Sequence, residues 1–183
     1  MESELITLKD GRAVHLRSST QGDGPAVLSY ITALGDSTEF ILTHAGDRPT
    51  LEAVDERIEM IPLGKFYSLV AIDPDTGEVV GNASYRFSPR VKLAHVGDLG
   101  IGVLPDWRGT GLGTILLERS IEDMRAKPGI VRLELAVMRG NDLAFGMYER
   151  AGFVVEGHKS RSMRQPDGSY SDETLMALWI GDS

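Results

Sequence analysis

IGVLPDWRGTGLG, from Ile101 to Gly113, is the stretch whose reading decides the fold: an apolar strand pattern gives way there to glycines at a helix start. Glycine at 109, 111 and 113 removes side chains where the backbone must approach a ligand closely. The amphipathic segment that follows opens with unpaired N–H groups, and these donors, with the positive end of the helix dipole, suit a pyrophosphate. The stretch predicts a cradle for a phosphorylated cofactor.

Glycines alone do not choose among nucleotide-binding loops, so the neighbouring residues must. A dinucleotide fingerprint needs a third glycine where Thr114 stands, and no repeated strand–helix units lie upstream. A Walker loop ends in Gly-Lys-Ser/Thr, a tripeptide this chain lacks. What remains is Arg108, two residues, Gly111, one residue, Gly113, directly after a strand. In this the chain resembles the GNAT superfamily of acyl-CoA-dependent N-acyltransferases, whose pyrophosphate loop reads Arg/Gln-x-x-Gly-x-Gly/Ala. A second run, NDLAFGMYERAGF, strengthens the resemblance: Asn141, Ala144, Tyr148, Gly152 and Phe153 match the superfamily's Asn-x-x-Ala-x-x-x-Tyr helix and the Gly-Phe after it. The two elements and their flanking strands run from Leu93 to Glu156, and the N-terminal third carries no matching motif.

The resemblance implies a mixed α/β sheet with helices on both faces, splayed where two parallel strands diverge, and acetyl-CoA as cosubstrate with its pantetheine arm in the gap. Ile101, Gly102 and Val103 would lend backbone groups to the arm and to the thioester carbonyl, opposite a second wall at Arg132 to Val137. Arg108, Gly109, Thr110, Gly111, Leu112 and Gly113 would hold the pyrophosphate, with the Arg108 side chain either near the phosphates or pinning the loop. Asn141 would hydrogen-bond the arm and Ala144 would let it pass close. Tyr148 would aim its hydroxyl at the sulfur. Positions 141, 144 and 148 share one helix face, and a phenol with a reference pKa of about 10 stays protonated at neutral pH and can donate to a leaving thiolate. Taken alone, Tyr148 would read as a core tyrosine with a satisfied hydroxyl, and the two motifs together reverse that reading.

Transfer of an acetyl group to an amine needs a deprotonated nitrogen, a polarised carbonyl and a proton for the thiolate. With no cysteine and no Gly-x-Ser-x-Gly elbow in the chain, direct transfer in a ternary complex is the expected route. Asp98, on the strand entering the glycine loop, is the candidate general base, acting through water; the competing reading is a surface aspartate. His15, His44, His95 and His158 show no metal-ligand spacing, and no metal is expected. Of the four, only His95 lies near Asp98 in sequence.

At 183 residues the chain fits one domain, 1–183, and a domain of that size buries about seventy per cent of its unfolded surface. The absence of cysteine excludes disulfides, thiolate zinc and a cysteine acyl-enzyme. The N-terminal run MESELITL has no basic region followed by a long apolar core, and no run is long enough to span a bilayer, so a cytoplasmic location without membrane contact is expected. A net charge of −8 disfavours nucleic acid and suits a cationic small amine. The basic group His158, Lys159, Arg161 and Arg164 reads as an exposed face or, less simply, a phosphate patch. The acceptor is expected to be a small primary amine, such as an amino acid, a polyamine or a related metabolite. A protein N-terminus or lysine, and a silent acyl-CoA sensor, are the alternatives; a homodimer stays open.

Along the chain, Asp10-Gly11 between Leu5–Leu8 and Ala13–Leu16 predicts a hairpin. Helical spacing runs from Asp23 to Leu34 and from Thr50 to Ile61, around a turn-rich loop at Thr43 to Pro49. Strands are expected at Phe66–Ile72, Val79–Phe87, Val91–Val103, Ile130–Val137, Phe153–Glu156 and Leu175–Trp179, and helices at Gly111–Arg125 and from Asn141.

Overall fold

The run FYSLVAI, Phe66–Ile72, lacks the polar alternation of a half-solvated strand and forms β3, which is covered on both faces. Its neighbours alternate accordingly. Leu69 and Ala71 pack with Trp107, Leu112 and Leu116, whereas Val70 between them packs with Val27, Tyr30 and Leu34 and with Val54 and Ile58. The computed structural model describes residues 3–42 and 46–181. Within these the chain order is β1 (Glu4–Thr7), β2 (Ala13–Ser18), α1 (Gly24–Ser37), α2 (Leu51–Glu59), β3, β4 (Val79–Phe87), β5 (Val96–Val103), α3 (Leu112–Arg125), β6 (Arg132–Met138), α4 (Asp142–Arg150), β7 (Val154–Arg164) and β8 (Tyr170–Trp179).

All eight strands form one sheet in the order β1-β2-β3-β4-β5-β6-β8-β7. Helices α1 and α2 cover one face; α3 and α4 share a core cluster on the other with Leu133, Leu135 and Phe153. This is the mixed α/β sheet with helices on both faces that the sequence implied. Every neighbouring pair is antiparallel except β5 and β6, which pair in parallel only at Val96↔Arg132, Gly97↔Leu133 and Asp98↔Glu134. Beyond Asp98 the two strands part. β5 stays on β4 as far as Val103, and β6 stays on β8 as far as Met138, so each is held on its outer edge while the inner edges open. That splay positions the site.

Local chemistry sets the helix starts. Thr50 accepts a hydrogen bond from the Ala53 N–H at 3.2 Å and caps α2, and the Asn141 side chain accepts from the Ala144 N–H at 3.3 Å and caps α4. Before α1, Asp23 instead turns its carboxylate to Arg17, at 2.6 and 2.8 Å, and to the Thr20 N–H at 2.7 Å. The Arg17 guanidinium therefore holds the Asp23 carboxyl below the ordinary aspartate range.

Two expectations are corrected. Val91 to Val103 is not one strand: Val91–Leu93 make a 3-10 turn, closed by the Leu93 N–H on the Arg90 carbonyl at 2.8 Å, and β5 begins at Val96. Val91 is 91% exposed, so its apolar side chain signalled no burial. The last hairpin is also longer than Phe153–Glu156 and Leu175–Trp179, because β7 and β8 stay paired out to Arg164↔Tyr170. The basic group lies along this exposed arm, where Lys159 approaches Glu173 at 3.8 Å and Arg161 donates its N–H to Asp172 at 2.8 Å. The loop from Thr43 to Pro49 and His44 fall partly or wholly at 43–45, outside the described residues.

Candidate active site

The gap between β5 and β6 is a cleft of about 1040 Å³. Leu99 to Val103 form one wall and Ala136 to Met138 the other, with the glycine loop at the far end of β5 and α4 alongside. On the cleft side β5 has no strand partner beyond Asp98, so its backbone groups there are available to a ligand. Five residues of extended chain separate Asp98 from Val103, about 16 Å of open strand edge. The shape is that of a slot for a long, thin molecule.

Ile101, Gly102, Val103, Arg108, Gly109, Gly111, Gly113, Asn141, Ala144, Tyr148 and Asp98 all line this cleft. Thr110 and Leu112 do not. The Thr110 hydroxyl donates to the Trp107 carbonyl at 2.7 Å and accepts from the Leu112 N–H at 3.3 Å, and the Leu112 side chain is fully buried against β3 and β4. These two residues shape the loop from behind, and only their backbone could face a ligand. Gly111 is the N-cap of α3 at φ +90°, a left-handed conformation that suits glycine, and no side chain caps the helix there. With the Leu112 N–H taken by Thr110, the N–H groups of Gly113 and Thr114 stay open to an anion.

Arg108 spends two of its donors on the protein. Its Nε donates to the Val103 carbonyl at 3.0 Å and a terminal nitrogen donates to the Ser37 hydroxyl at 3.3 Å, so the side chain pins the loop to the end of β5 and to α1. Gly102 serves a packing need as well: a Cβ there would fall 2.4 Å from Leu34 Cδ2 and 2.5 Å from the Tyr30 hydroxyl. Its missing side chain lets α1 settle on β5, while its backbone edges the cleft.

Tyr148 is 7% exposed and sits among Leu99, Leu135 and Phe153, with its ring 5.7 Å from that of Phe153. No described residue accepts a hydrogen bond from its hydroxyl, and no buried side-chain oxygen of the described residues is left unpartnered. The hydroxyl therefore opens into the cleft. Burial pushes its pKa up to about 12, keeping the phenol protonated across the physiological range. Asn141 commits its side-chain oxygen to the cap of α4, leaving the amide NH2 for a ligand.

Asp98 lines the cleft where β5 and β6 separate, and its carboxylate accepts from Arg86 at 2.7 Å across the β4–β5 pair. Arg86, Phe40, Ile41, Glu173 and Lys9 also line the cleft, and sequence reasoning missed all five. Arg86 carries a detectable signal once β4 and β5 are paired in register, since it stands opposite Asp98. The others arrive from distant segments. His95 is not among the lining residues; its backbone carbonyl takes the N–H groups of Val131 and Arg132. His15 and His158 lie near Ser3 and Thr174 respectively. Among the described residues no three metal-binding side chains converge, and no helix is long and apolar enough to cross a membrane.

Comparison with known proteins fits this geometry. The Acetyltransferase (GNAT) family profile matches residues 38–153. An L-amino acid N-acetyltransferase of Escherichia coli (strain K12) is 33% identical over 102 residues, which cover 55% of this chain and 62% of that protein, less than two thirds of its length. An L-methionine sulfoximine/L-methionine sulfone acetyltransferase of Pseudomonas aeruginosa is 30% identical over 166 residues, 89% of this chain and 92% of the relative. Among solved structures, an acetyltransferase of the GNAT family from Streptococcus pneumoniae superposes with a TM-score of 0.85 at 25% identity, covering 92% of this chain and 99% of that one.

Proposed function

The chain belongs to the GNAT family of acetyltransferases, and from that premise we propose that it moves an acetyl group from acetyl-CoA to the primary amine of a small molecule, an amino acid above all. The observation that carries this reading is the opening between β5 and β6, with the Tyr148 hydroxyl turned into it. The residues present fit the cosubstrate: an unpaired strand edge for the pantetheine amides, and an open helix N-terminus behind Gly109 and Gly111 for the diphosphate. Bound there, the thioester supplies an activated acetyl carbon.

The chain's own groups then divide the work. Backbone N–H groups of Ile101 to Val103 hold the carbonyl oxygen, and the Asn141 amide steadies the arm. As the C–N bond forms and the C–S bond breaks, Tyr148 gives its proton to the departing sulfur. A water molecule held by Asp98 takes the proton that the nitrogen loses. Asp98 is paired with Arg86, and the pair presents one anionic and one cationic group side by side. A zwitterionic amino acid matches that pattern, its ammonium toward Asp98 and its carboxylate toward the free donors of Arg86. The two amino-acid-directed relatives support this acceptor class.

The test is a panel of amines with acetyl-CoA, following thiol release. Amino acids should be acetylated in preference to the same molecules lacking the carboxylate, and Arg86→Met should erase most of that preference. Preference for polyamines or for peptide N-termini would contradict the acceptor assignment. Silence across the whole panel would favour a sensor of acyl-CoA.

A further inference from the structure

The turn between β1 and β2 does more than reverse the chain. It is closed by the Leu8 N–H on the Arg12 carbonyl at 2.7 Å and the Gly11 N–H on the Leu8 carbonyl at 3.0 Å. It is then fastened to the glycine loop and the residues just before it by three contacts. The Lys9 N–H donates to the Thr110 carbonyl at 3.1 Å, and the Arg12 guanidinium lies 4.2 Å over the Trp107 ring while donating to the Asp106 carbonyl at 2.8 Å. Arg12 is also paired with Asp10 at 2.7 Å. Lys9 is the turn's other cation, and no carboxylate of the described residues forms an ion pair with it.

The Lys9 stem runs across Gly111. A Cβ at Gly111 would come within 3.2 Å of Lys9 Cε, 3.3 Å of Cδ and 3.4 Å of Cγ, so the absence of a side chain at 111 gives the lysine its path. Lys9 lines the cleft together with Gly109, Gly111, Gly113 and Thr114, beside the open N-terminus of α3. The loop's own cation, Arg108, has its Nε and one terminal nitrogen turned to Val103 and Ser37. Lys9 brings a further full positive charge over Gly111, one that no hydrogen bond to the loop holds back.

We propose that Lys9 is a phosphate-binding residue of the acyl-donor site, its ammonium meeting the diphosphate of the cosubstrate over Gly111, so that the β1–β2 turn is part of that site. The proposal rests on the cleft being an acetyl-CoA site. It adds a residue outside both the glycine loop and the region matched by the family, which begins at residue 38.

Calorimetric titration of coenzyme A and of 3′-dephospho-coenzyme A into the full chain tests it, comparing wild type, Lys9→Met and Lys9→Arg. Methionine keeps the aliphatic stem and removes the charge. The expected result is a dissociation constant raised about tenfold by Lys9→Met for both ligands, as for loss of one partly exposed charge-assisted hydrogen bond, with Lys9→Arg within about threefold of wild type. Equal affinities for wild type and Lys9→Met would overturn the proposal and leave the acetyltransferase reading standing. A loss seen with coenzyme A but absent with the dephospho form would overturn the diphosphate assignment. Equal losses in Lys9→Met and Lys9→Arg would also overturn it, since they would report shape and not charge. A wild-type chain that binds neither ligand would sink both readings together.

Discussion

At Tyr148 the proposed mechanism rests on a single hydroxyl, the group that would separate a catalyst from a binder of acyl-CoA. Because burial raises its pKa to about 12, the group is in its donating form at every pH below that value. It therefore contributes no ionisation between pH 5 and 9. Tyr148→Phe keeps the ring and its packing on Phe153, so it should hold coenzyme A as wild type does while turnover falls about 10²-fold or more, the usual scale of lost acid catalysis. Asp98→Asn, in the same assay, should also lower turnover about 10²-fold, since an amide cannot take a proton from the water. Unaltered turnover in either variant would remove that residue from the mechanism. Gly102 makes a different demand. A methyl group there would overlap both Tyr30 and Leu34, so Gly102→Ala should cost about 1–3 kcal/mol in denaturant unfolding, and an unchanged midpoint would contradict the packing of α1 on β5.

The elements were legible in the sequence wherever a start or stop is written locally. Gly111 ahead of Leu112, Thr50 ahead of α2 and Asn141 ahead of α4 each name a boundary through a cap or a left-handed backbone, and each stands within a residue of its expected place. Non-local contacts left no such trace. The length of β7 is set by β8, the solvent-facing Val91 imitates a strand residue, and Lys9 meets Gly111 only after about 100 residues have folded between them. The same holds for the Arg86–Asp98 pair, visible only through strand register. Helix α1 offers an element-scale test through its entry. Arg17 holds the Asp23 carboxyl below its ordinary value, so the pair's contribution is fully present above about pH 4, the unfolded value, and is lost as the pH falls through the lower folded value. Asp23→Asn should lower the thermal midpoint at pH 7 by about 2–4 °C, as for roughly 1 kcal/mol in a chain of this size, and the gap to wild type should close in acid. A gap that persisted below the folded pKa would contradict the ion pair as its cause.

Across the whole molecule the sheet behaves as two antiparallel blocks, β1 to β5 and β6 with β8 and β7, joined by three parallel residue pairs and then opened. Core packing on both faces fixes each block, so the separation beyond Asp98 is built into the fold. The glycine loop, α4 and the β1–β2 turn converge on that one opening, and acyl transfer is the chemistry their groups share. A titration of the 15N-labelled chain with coenzyme A, followed through its backbone amide resonances, tests this most directly. The amides of Ile101 to Val103, those from Gly109 to Thr114 and that of Asn141 should shift together and saturably, while amides along the exposed β7 arm stay in place. Saturable binding that moved the β7 arm and left the β5 edge and the glycine loop untouched would contradict it.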